Sequence, residues 1–193
     1  MSRPAFVIAT LVAAPLLFAA SPSFADPVRY LEDARKLAST MPPKLVEVLE
    51  DEIAKGGPAQ AISVCRDKAP KMAAAASEQS GWNIRRVSLK NRNPKAVPDP
   101  WERSVLEDFD RRAAAGESAA TLEKGEVVSE GGQQVYRYMK ALPTRELCLQ
   151  CHGTPDKLDP AARARVGELY PEDKATGYSA GQLRGAMTLK KAL

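Results

Sequence analysis

The chain has 193 residues, 44% hydrophobic and 27% charged, the balance of one globular domain and not of a disordered tail, a collagen-like fibre or a multispan membrane protein. Its 28 Lys and Arg against 24 Asp and Glu leave a formal charge of +4 spread without basic runs, which argues against nucleic-acid binding. Three cysteines and one histidine leave few ways to hold a metal.

Residues 1–25 read as a secretory signal peptide. Arg3 supplies the positive start, Leu11, Leu16 and Leu17 lie in the apolar stretch, and Ser23 and Ala25 are the small residues at −3 and −1. Pro15 interrupts the stretch, which is shorter than the ~20 residues that span a bilayer. Cleavage after Ala25 leaves a domain over 26–193 with no membrane span, expected in the periplasm or an equivalent oxidising compartment.

Leu31, Ala34, Leu37, Ala38 and Met41 form a helical stripe, and Pro42-Pro43 are expected to separate it from a second stripe of Leu45, Val48, Leu49 and Ile53. Gly56-Gly57 then stop the chain, and Pro58 opens a helix over 58–68, with a further turn or more over 70–79. Ile62, Cys65, Ala69, Met72 and Ala76 recur at helical spacing, so Cys65 faces inward. Residues 82–89 read as a strand whose apolar positions change parity, Trp82 and Ile84 against Val87 and Leu89, requiring either a bulge or burial on both faces.

Residues 98–115 form an amphipathic helix capped by Asp99, with Pro100 at its first position and Trp101, Val105, Leu106 and Phe109 inward. Gly131-Gly132 joins strands over 126–130 and 133–142 as a hairpin. After a loop from Pro155 comes a short helix over 163–169. The last strand, 183–190, alternates Leu183, Gly185, Met187 and Leu189 with Arg184, Ala186, Thr188 and Lys190 and reads as half-buried. The sum is a single α+β domain, an antiparallel sheet of four or five strands with helices on one face.

Cys148-Leu149-Gln150-Cys151-His152 is C-x-x-C-H, the pattern of covalent haem attachment in c-type cytochromes. Two thiols at this spacing add to the two vinyl groups of haem, and the adjacent histidine binds the iron. Zinc fits poorly, because four ligands are needed and no second C-x-x-C exists. A redox dithiol or a structural disulfide between Cys148 and Cys151 leaves His152 unexplained. One motif means one haem per chain, and a single histidine rules out two histidine ligands. The sixth position falls to Cys65, to a methionine, Met72 foremost since it shares the stripe, to a lysine, or to water. A free thiol in an oxidising compartment favours Cys65. Arg85, Arg86, Arg92 and Arg184 are the cations available for haem propionates, with Arg92 first, and Tyr136, Tyr138 and Tyr178 could pack on the porphyrin.

Several blocks together carry a resemblance. They are Ala61-Ile62-Ser63-Val64-Cys65 through Ala69-Pro70, Arg85 through Pro94, Pro98-Asp99-Pro100-Trp101-Glu102, Cys148 through Gly153, and Tyr170-Pro171-Glu172-Asp173 through Thr176-Gly177-Tyr178. The chain resembles the Tll-type family of small exported monohaem c-type proteins with a PAS-like fold, formerly a domain of unknown function. The resemblance implies a haem c whose iron is held by His152 and Cys65. The sequence departs from the family pattern at Ala96, where an asparagine is common. The implied role is a redox or gas/redox sensory module working through a separate partner protein, with a soluble periplasmic electron carrier as the alternative. An enzyme is not expected, because no second histidine is present to serve as a distal acid-base group.

Overall fold

The computed structural model describes residues 26–193. The expected signal peptide, residues 1–25, lies outside the described residues.

Asp26 accepts a hydrogen bond from the Val28 N–H at 3.0 Å and so caps α1 (Pro27–Ser63), which begins with proline where no N–H is needed. The expected break at Pro42-Pro43 is absent. Backbone angles stay helical there, so the two prolines only remove the N–H donors that the Ala38 and Ser39 carbonyls would have met. The break expected at Gly56 and Gly57 is present, with Gly57 at φ 75°, a conformation that favours glycine. A widened turn (Val64–Lys68) leads into α2 (Ala69–Ser80), which Gly81 ends at φ 69°.

β1 (Asn83–Val87) follows, then α3 (Pro100–Ala114), β2 (Glu123–Glu130) and β3 (Gln133–Pro143). Gly131 and Gly132, both at positive φ, turn β2 into β3. The short α4 (Leu149–His152), α5 (Pro160–Leu169) and β4 (Leu183–Ala192) complete the chain. The sheet is antiparallel in the order β1-β4-β3-β2.

Helices cover both faces of this sheet, not one as expected. Ile84, Tyr136, Tyr138, Met187 and Leu189 meet Ala34 and Ala38 of α1, whereas Val87, Met139, Ala141 and Ala186 meet Val105, Leu106 and Phe109 of α3. The parity change in β1 is therefore burial on both faces. Its pairing with β4 runs from Asn83↔Lys190 to Val87↔Ala186 without a slip. The same double cover corrects the reading of β4. Arg184 to Leu189 are all buried, because the strand lies inside the sheet between β1 and β3.

A charged cluster fastens α3 to its face. Glu102 is buried and accepts from Thr188 Oγ1 at 2.9 Å and from the Asp99 N–H at 2.8 Å, and it pairs with Arg85 and Arg137. Asp99 and Glu102 also form the reciprocal cap that starts the helix. At the other end of β4 the pairing slips between Leu142 and Pro143. Gly185, at φ 142°, lies so close to β1 that a Cβ there would stand 2.3 Å from the Val87 carbonyl oxygen. This irregularity interrupts the strand's alternation next to Arg184.

Candidate functional site

Pro70 shapes the turn that carries Cys65. It has no N–H to offer Arg66, and in an α-helix its ring would press on that carbonyl. The backbone instead widens into a π-turn, in which the Ala69 N–H bonds the Val64 carbonyl five residues back. Cys65 lies half-buried in this turn and is a free thiol. Burial pushes its pKa up, and the charges of Arg86, Arg92 and Arg184 oppose that shift. Cys148 also acts on it, and Cys65 in turn helps raise the Cys151 thiol to about 11, after the larger effect of burial. The thiol of the widened turn and the two motif cysteines thus act on one another electrostatically. Met72 lies half-buried on α2.

His152 ends α4, and Gly153 must follow it closely. A Cβ on Gly153 would stand 2.6 Å from the Leu149 carbonyl oxygen and 2.8 Å from Lys157 Cβ. His152 Nδ1 lies 2.6 Å from the Ala175 carbonyl oxygen, an atom that only accepts, so Nδ1 carries the proton and Nε2 presents a lone pair. Burial, reinforced by Arg184 and Arg92, holds the imidazole pKa well below its ordinary value and keeps the ring neutral. The Gly177 N–H donates to the Gly153 carbonyl at 2.8 Å, and the Tyr178 N–H donates to the His152 carbonyl at 3.0 Å, stitching this loop onto the end of α4.

The four arginines take different roles. Arg85 pairs with Glu102 on the α3 side. Arg92, expected to meet a propionate, uses Nε and Nη2 on the two Asp173 oxygens at 3.1 and 2.9 Å, and Nη2 also reaches the Cys151 carbonyl at 2.6 Å. Arg86 and Arg184 have no carboxylate partner among the described residues. Arg184 is buried. Its Nη1 donates to Ser88 Oγ at 3.1 Å and to the Lys90 carbonyl at 3.3 Å, its guanidinium lies 5.3 Å from the centre of the Tyr178 ring, and its Nε has no partner. Burial and the nearby Arg86 charge depress the Arg184 pKa, as burial depresses that of Arg86.

Of the three tyrosines, Tyr178 belongs to this region. Tyr136 stacks on Tyr30 at 5.6 Å and meets Trp82 edge-on, and the Tyr138 hydroxyl donates to Glu123 at 2.7 Å, so both are committed to the packing under α1. Asp173 and Ala175 are the contributors that residue patterns missed. They lie in a loop without periodicity, although the block around them was part of the resemblance. Among the described residues no group of three or more Cys, His, Asp or Glu converges to hold a bare metal ion, and none of the three cysteines forms a disulfide.

The description of the Tll0287-like family, Tll0287, matches residues 25–191. The chain belongs to the Tll0287-like family. Among solved structures, the crystal structure of the cyanobacterial haem protein Tll0287 aligns with 87% of this chain and 97% of its own length, at 25% identity and a TM-score of 0.61. No curated protein matches the chain. The resemblance read from the motif blocks therefore holds, and the α+β fold of this family member is PAS-like.

Proposed function

We propose that this family member is an exported, periplasmic protein carrying one covalent haem c and serving as a redox or gas/redox sensory module rather than as an enzyme. Cys148 and Cys151 would form the thioethers, and His152 and Cys65 would hold the iron. The observation that carries the reading is the preset imidazole of a C-x-x-C-H segment, its Nδ1–H tied to Ala175 and its Nε2 left for a ligand. The haem-protein neighbour supports a haem cofactor.

The residues suit this cofactor in charge as well as in ligands. Haem brings two propionates, and the buried Arg184, with its orphaned Nε, and the half-buried Arg86 are two cations lacking carboxylates among the described residues. We assign the propionates to them, with Arg92 in a supporting role. Bound haem would supply one-electron chemistry at this site. The chain's own part is to keep His152 neutral and oriented, to hold a thiol beside three arginine charges that favour its thiolate, and to shield both within the domain. Among the described residues no helix is long and apolar enough to cross a membrane.

A denaturing gel with a peroxidase stain tests attachment. Haem should migrate with the polypeptide and resist acid-acetone extraction, and complete extraction overturns the covalent assignment. Spectra of the oxidised protein test the ligands. Cys65→Ser should alter the ferric spectrum and raise the potential, because a thiolate donates charge that stabilises Fe(III). An unaltered spectrum in that variant, with a change in Met72→Ala, would transfer the ligand role to Met72.

A further inference from the structure

We propose that Arg92 and Asp173 act as a clamp that positions His152, setting the hydrogen bond of its Nδ1 and through it the electron donation of the ring. The inference rests on the reading of His152 as an iron ligand. Arg92 joins two segments far apart in the chain, lying 59 residues before Cys151 and 81 before Asp173. One guanidinium holds the last turn of the ligand segment, through the Cys151 carbonyl at 2.6 Å, and the facing loop, through both Asp173 oxygens. Asp173 Oδ1 also accepts from the Ala175 N–H at 2.9 Å, fixing the residue whose carbonyl receives the His152 proton. The pair is almost fully buried, with side chains 7% and 10% exposed, so water does not loosen it.

The clamp fixes the donor and the acceptor of one hydrogen bond independently. A short Nδ1–H···O bond gives the imidazole imidazolate character and makes it a stronger donor to a metal at Nε2. Only a forked cation can perform this task, since the same group must serve a carboxylate side-on and a carbonyl at once. A lysine ammonium keeps the charge and loses the fork.

Two variants of the holoprotein separate position from charge, because neither changes the net charge of the pair. They are Arg92→Lys and the double variant Arg92→Met/Asp173→Ala. Midpoint potential is read by spectroelectrochemical titration, and the solvent-exchange lifetime of the His152 Nδ1–H by NMR. Loss of the clamp should make the ring a weaker donor and raise the potential. In the double variant the ferric-to-ferrous ratio at a fixed poise should fall about tenfold, which is ~59 mV for one electron, with a severalfold change in Arg92→Lys and faster exchange in both. Wild-type potential and exchange in either variant overturn the clamp. If the double variant fails to mature, Arg92→Lys decides alone. A wild-type protein without covalent haem, or with His152 off the iron, defeats the underlying reading before any variant is compared. A wild-type protein ligated by His152 that both variants merely reproduce defeats the clamp and leaves that reading standing.

Discussion

The imidazole of His152 and the guanidinium of Arg184 differ in how far a residue pattern reveals them. His152 was legible because C-x-x-C-H compresses its chemistry into five consecutive positions. Arg184 was one of four candidates, ranked behind Arg92, and only tertiary placement separates it from Arg85, which Glu102 neutralises, and from Arg92, which Asp173 neutralises. A buried cation without an anion costs free energy in the empty protein and repays it when an anion arrives. Arg184→Met should therefore stabilise an apoprotein whose motif cysteines are replaced by alanine, by about 1–3 kcal/mol, the cost of an unsatisfied buried donor. The same change should destabilise the holoprotein. Chemical denaturation of the four proteins checks the reversal of sign, and equal effects in both backgrounds would remove Arg184 from the propionate site.

At the level of elements, periodicity found α3 with its cap and the Gly131-Gly132 hairpin, because local chemistry alone decides those features. It failed at Pro42-Pro43, where α1 tolerates two missing hydrogen bonds, and at β4, whose polar positions are buried by a helix on each face. Helical spacing put Cys65 on the inward stripe but could not show that its turn is widened, since a π-turn leaves no periodic mark over five residues. Its cause was nevertheless present in the sequence as Pro70. Pro70→Ala restores the missing N–H and permits an ordinary α-turn, which would carry Cys65 away from its present direction. The ferric spectrum of that variant should depart from wild type in the same sense as Cys65→Ser, although the thiol remains. A wild-type spectrum would show that Pro70 does not direct the thiol.

Across the whole molecule, two carboxylates link distant elements and make stability depend on pH. Burial alone would raise the pKa of Asp99, but Arg137 and the Glu102 N–H hold it below the ordinary range. Burial likewise opposes, and Arg35 with the Tyr138 hydroxyl overcomes, in the lowering of Glu123. Both groups have folded pKa values below their unfolded ones of ~3.9 and ~4.3, so their stabilisation is complete above those values and disappears as pH falls through the folded values. The melting temperature should thus drop more steeply below pH ~4 in wild type than in Asp99→Asn/Glu123→Gln, which has already lost the contribution. Parallel acid profiles would show that the pairs confer no such dependence.

The same scale decides between a sensor and an electron carrier. A Cys65 thiolate bound to Fe(III) would be held less strongly once the iron is reduced, and protonation of the thiol would then release it. Burial already favours the protonated thiol, while the three arginines favour the thiolate, so the balance is open to a change in iron charge. The widened turn that holds Cys65 is the element that would have to move between the two ligation states. A carrier needs the opposite, because ligand exchange adds reorganisation and slows electron transfer. Mixing the dithionite-reduced protein with carbon monoxide while following the Soret band, with electron self-exchange measured in parallel, separates the two. Rapid carbon monoxide binding with slow self-exchange is the outcome expected of the sensor; a six-coordinate ferrous protein that ignores carbon monoxide and exchanges electrons quickly would make this chain an electron carrier.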